Sequence, residues 1–96
     1  MIDQLTQKIN NGDQSGYFLR GLYYIKNEEN EKALSDFNTI LVSDSTNSNA
    51  YLGIGNVYLN GGRGDALIQF NKSIKFNPNN SFAYFCRTFC NISSKQ

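Results

Sequence analysis

The sequence predicts an all-α fold of antiparallel helix hairpins stacked in series, and three observations carry this expectation. A motif returns after 33 to 34 residues. Apolar residues within each copy recur at steps of three and four, the helical interval, in contrast to the two-residue alternation of a half-buried strand. Short polar or Gly-rich runs interrupt the periodic stretches at hairpin intervals.

The elements follow in order along residues 1–96, which read as a single domain. Residues 1–13 are expected to hold a short N-terminal helix at 2–11. The first repeat, 14–47, places apolar Phe18, Leu19, Leu22 and Ile25 on one helix (14–27). Ala33, Leu34, Phe37, Ile40 and Leu41 fall on a second (30–43). Asn27 to Asn30 break the pair, with Asn30 expected as N-cap of the second helix and Glu31 near its positive end. The polar run Ser43 to Asn49 closes the copy. The second repeat, 48–80, gives helices at 48–60 and 64–77. Gly61, Gly62 and Gly64 make the turn, and Asn77-Pro78-Asn79-Asn80 ends the second helix. A terminal helix is expected at 81–94 within the last segment, 81–96.

The repeat is carried by particular residues. Tyr17, Gly21 and Tyr24 match Tyr51, Gly55 and Tyr58 at identical spacing, and Ala33, Phe37 and Ile40 match Ala66, Phe70 and Ser73 after a turn one residue shorter. Tyr84 opens a partial third copy. This pattern resembles the tetratricopeptide repeat, which has an aromatic, a small residue four later and a Tyr three beyond, then a small residue, an aromatic and a closing Pro in the second helix. Two full copies plus a terminal helix fit. The first copy departs from the pattern at Arg20 and Ser45, and the Gly-rich turn of the second also resembles Sel1-type repeats. The resemblance implies a short right-handed superhelix, an α-solenoid, whose inner face comes from the first helix of each pair. Gly21 and Gly55 sit inside helices at a cost of about 1 kcal/mol each relative to Ala. A small residue there lets paired helices approach closely. The expected core contains Tyr24, Ala33, Phe37, Tyr58, Ala66 and Phe70.

Composition excludes several function classes. The chain is 40% hydrophobic with one Pro, enough apolar content for a packed core, and its formal charge of +1 supplies no global field for nucleic acid or an acidic membrane. Charge is nonetheless uneven: residues 1–65 carry −3 and residues 66–96 carry +4. The first residues, with Asp3 and no continuous apolar run, match neither a secretory signal nor a membrane span. Cys86 and Cys90, four apart with no His in the chain, lack the ligand count of a structural zinc site and the spacing of a redox pair. They read as reduced thiols, which points to the cytoplasm. Without His, and with Glu28, Glu29 and Glu31 at a solvated helix start, no catalytic constellation is visible. No enzyme activity, cofactor or metal is expected.

The function expected is therefore that of a protein-protein interaction module, an adaptor or scaffold. The best-known subset of the resembled family carries a carboxylate clamp of Lys, Asn and Arg for acidic chaperone tails. Here its positions fall on Phe18, Leu22, Gly53, Phe82 and Cys86, so the clamp is lost. Inner-face positions three before, one after and four after the repeat glycine instead give Phe18, Leu22 and Ile25, then Leu52, Asn56 and Leu59. Counted from Thr88, they give Phe85, Phe89 and Ile92. These nine residues are expected to bind an apolar partner segment, or in part to pack between helices. The alternative is a self-assembling structural protein, such as a homodimer, joined through its terminal helices. Phe85 and Phe89 mark that surface.

Overall fold

The computed structural model describes residues 14–60 and 65–94. The helix expected at 2–11 and the glycines of the 61–64 turn lie outside them. Five helices follow in order: α1 (Gln14–Lys26), α2 (Asn30–Ser43), α3 (Ser48–Asn60), α4 (Ala66–Phe76) and α5 (Ser81–Ser94). They match the expected spans to within two residues, and no strand occurs among the described residues. Each helix packs against its neighbour in sequence. In addition α1 touches α3 and α3 touches α5, so the first helices of successive pairs share one side of the molecule.

The α1–α2 turn is built by a left-handed residue. Glu28 has φ 62°, and two backbone bonds close the helix end, Glu28 N–H to Ile25 O at 3.0 Å and Glu29 N–H to Tyr24 O at 2.8 Å. This is the Schellman pairing, with Glu where Gly is usual. It ends α1 one residue before the expected boundary and corrects one expectation. Glu29, not Asn30, flanks α2, because its carbonyl already accepts from Ala33 N–H at 3.1 Å. Asn30 is the first helical residue, and its Oδ1 is buried without a partner. The next helix start is capped as helix chemistry prefers, with Asn47 Oδ1 accepting from Ala50 N–H at 3.0 Å.

Two buried clusters hold the stack together. The first joins Ala33, Phe37 and Ile40 of α2 to Ala50, Ile54 and Val57 of α3, with Tyr24 and Tyr58 half-buried against it. Leu52, Ala66, Phe70 and Ala83 form the second, across α3, α4 and α5. Ala33, Phe37, Ala66 and Phe70 are each fully buried, as the repeat register requires. The glycines allow this: a Cβ added at Gly21 would sit 2.5 Å from Phe37 Cε1, and one at Gly55 2.5 Å from Phe70 Cε1.

The two hairpins differ where polar groups are buried. In the first, Arg20 forks onto the buried Asp36, with Nε to Oδ2 at 2.8 Å and Nη2 to Oδ1 at 2.6 Å, between the rings of Tyr17 and Tyr24. Hydrogen bonding to Asp36 raises the Arg20 pKa further and keeps the guanidinium charged. Ile54 and Gln69 stand at the matching positions of the second hairpin. There Ser73, in the place of Ile40, has no exposure and meets Ser48. Ser48 Oγ donates to Ser73 O at 2.7 Å, lies 2.8 Å from Ser73 Oγ and accepts from Asn80 Nδ2 at 3.0 Å. A hydroxyl has one proton and two lone pairs, so these contacts satisfy it fully. The network ties the start of α3 to the end of α4 and to the turn before α5.

Candidate functional site

The first helices of the three successive units enclose a concavity of about 400 Å³. Its walls are Phe18 and Leu22 from α1, Asn49, Leu52 and Asn56 from α3, and Phe82 and Cys86 from α5. These residues meet because the hairpins pack tightly behind them. Phe37 stands behind Phe18 at a centroid distance of 6.1 Å, and both Gly21 and Gly53 yield room to its ring.

No lining residue is charged, so the surface selects for apolar groups and leaves only short polar contacts. Asn56 spends part of its capacity internally: its Nδ2 donates to Leu52 O at 3.0 Å, and its Oδ1 accepts from Cys86 Sγ at 3.8 Å. Asn49 Oδ1 accepts from Asn80 Nδ2 at 3.1 Å. By the side-chain inventory, beside these bonds Asn56 keeps one Nδ2 hydrogen and Asn49 its Nδ2 group as donor capacity. Burial pushes the Cys86 thiol pKa up, opposed by its bond to Asn56, and the sulfur stays a protonated, weakly polar part of the wall.

The structure distributes the nine expected contact residues among different settings. Phe18, Leu22, Leu52 and Asn56 line the concavity. Leu52 is 7% exposed, so most of its surface lies in the second core cluster and only an edge faces the groove. Ile25 packs against the first cluster and Leu59 against the second. Phe85 borders an adjoining depression with Asn56, Ser81, Phe82 and Cys86, while Phe89 is exposed and lines neither. Ile92 lies on α5, but its side chain is outside the described residues.

Asn49, Phe82 and Cys86 are lining residues that the count from the repeat glycine overlooks. The lining shifts toward the N-terminal end of each later helix, so the groove crosses the inner helices obliquely. A fixed offset from Gly21, Gly55 and Thr88 therefore drifts off it. The signal present in the sequence is the clamp comparison, which puts Phe82 and Cys86 at inner positions.

Among the described residues no helix is long and apolar enough to cross a membrane, and no group of three His, Cys, Asp or Glu could hold a metal ion. No family model matches the chain. It is similar to several larger proteins. Over 71 residues it is 38% identical to anaphase-promoting complex subunit 3 of Schizosaccharomyces pombe, which covers 73% of the chain and 11% of that protein. It is 32% identical over 87 residues to superkiller complex protein 3 of Homo sapiens, covering 88% of the chain and 6% of that protein. To tetratricopeptide repeat protein 37 of Xenopus laevis it is 29% identical over 87 residues, again covering 88% of the chain and 6% of the relative. The chain thus spans a small part of the length of the curated relatives it matches.

Proposed function

Because the chain belongs to the tetratricopeptide repeat family, we propose that it is an interaction module that takes an apolar segment of a partner protein into the groove between α1, α3 and α5. The observation that carries this reading is the uncharged lining of Phe18, Leu22, Leu52 and Phe82, with Asn49 and Asn56 as the amide contacts. A short amphipathic helix or extended strand can bury its apolar side chains there while the amides meet its backbone. Two of the relatives are named as members of complexes, a superkiller complex and an anaphase-promoting complex, which agrees with a scaffolding role. The role is binding rather than catalysis, and a reducing compartment such as the cytoplasm suits the free thiols of Cys86 and Cys90.

Selection from a displayed peptide library tests the groove. Enriched peptides should carry apolar residues at helical or alternating spacing, without acidic C-termini. Their affinity should fall about tenfold or more in Leu22→Asp and Phe82→Ser, both partly exposed positions. Equal binding by these variants would overturn the assignment.

A second reading is self-association through α5. It is favoured by Phe82, Phe85 and Phe89, which are 72%, 71% and 51% exposed on one helix. Contiguous apolar surface of this kind marks interfaces.

A further inference from the structure

We propose that the outer face of α4, with the adjoining edge of α5, docks an acidic segment of a partner polypeptide, at a site that shares no residue with the groove. Lys72 and Lys75 lie one turn apart on α4 and are both exposed. Arg87 of α5 joins them, its Nη1 donating to Asn71 Oδ1 at 3.4 Å beside Lys72.

These three cations are held by aromatic rings and an amide rather than by carboxylates. In the first hairpin Arg20 pairs with Asp36 and Lys32 with Glu29, while Lys26 forms no ion pair among the described residues. Residues 66–96 contain four Lys or Arg and no acid. Among the described residues Lys72, Lys75 and Arg87 form no ion pair and rest on aromatic rings instead. Lys72 Nζ is 5.6 Å from the centroid of Tyr51, Lys75 Nζ 5.5 Å from Phe76 and Arg87 Cζ 5.3 Å from Tyr84. The rings hold the cations in place and leave outward N–H donors for an incoming anion. The result is a ring-supported positive surface without an ion pair among the described residues, with Ile68, 53% exposed, one turn before Lys72.

The same geometry favours a polypeptide over a nucleic acid. Single-stranded nucleic acid is held by bases stacked on open aromatic faces. Here Tyr51 and Phe76 stack on each other at 5.5 Å, and Tyr51, Phe76 and Tyr84 each already carry a cation. Three cations also neutralise few phosphates compared with the roughly six to ten of a typical DNA-binding surface. They match two or three Asp or Glu side chains about one helical turn apart, with an apolar neighbour against Ile68.

Fluorescence anisotropy tests the site with three labelled probes: a ten-residue peptide of alternating Asp and Glu, its Asn and Gln counterpart, and a ten-nucleotide uridine RNA. The acidic peptide should bind saturably and more weakly as salt rises, with the amide peptide inert. Affinity should drop about tenfold in Lys72→Glu combined with Lys75→Glu, and fall in Arg87→Gln. It should be unchanged in the groove variant Leu22→Asp. Amide shifts in a two-dimensional NMR titration should centre on α4 and Arg87, and circular dichroism should show all variants folded. Absence of binding at low salt, equal binding by the doubly reversed variant, tighter binding of the RNA, or shifts confined to other faces would each overturn the proposal.

Discussion

Phe37 and Gly53 are locked together across the boundary between the two hairpins: a Cβ added at Gly53 would lie 2.5 Å from both Cε1 and Cζ of the Phe37 ring. The ring is fully buried and also abuts Gly21 of its own hairpin, so it has no direction in which to retreat. Gly53→Ala should therefore destabilise the protein by about 1–3 kcal/mol, although Ala is the better helix former by about 1 kcal/mol. Urea denaturation followed by circular dichroism measures the difference. A stabilised Gly53→Ala variant would mean that the hairpins do not pack this closely.

The Arg20 and Asp36 pair gives a second expectation. The Asp36 side chain is 4% exposed and Arg20 23%. Arg20→Ala removes the salt-bridge partner that a buried carboxylate has among the described residues and should cost about 2–4 kcal/mol. Arg20→Ile with Asp36→Gln reproduces the residues at the matching positions of the second hairpin and should lie within about 1 kcal/mol of the native protein. A double variant as unstable as Arg20→Ala would show that the second hairpin is no guide to the first.

Glu28 holds a left-handed conformation that suits glycine. Glu28→Gly relieves a steric cost of about 1–2 kcal/mol and adds unfolded-state entropy, for a net gain of about 0.5–1 kcal/mol. Thermal unfolding should shift upward by a few degrees. Glu28→Val, β-branched at the same φ, should shift it downward.

Self-association through α5 predicts a concentration-dependent rise in sedimentation coefficient that Phe85→Ser with Phe89→Ser abolishes while helicity is kept. Both side chains are more than half exposed, so the substitutions remove little core packing. A native chain that stays monomeric at high micromolar concentration removes this reading and leaves the α5 surface to a partner.

Much of the helix map was written locally. The steps of three and four, the polar breaks and the returning Tyr, Gly and aromatic positions are relations among residues within one or two turns, and these determined the five described helices and the fully buried Phe37 and Phe70. Residue identity alone also carries the expectation that the acidic-tail clamp is lost, since Phe18, Leu22, Gly53, Phe82 and Cys86 stand at its positions. The location of the α1–α2 boundary was less legible, because a Glu in the left-handed region carries none of the signal of a Gly. The groove was half legible. Phe18, Leu22, Leu52 and Asn56 follow from the repeat count, but Asn49, Phe82 and Cys86 depend on where α1, α3 and α5 cross. That crossing is decided by contacts remote in sequence: Phe37 against Gly53, and Ser48 with Ser73 and Asn80, 25 and 32 residues away. Helical periodicity states which side of a helix is apolar, whereas only packing between helices states what that side meets.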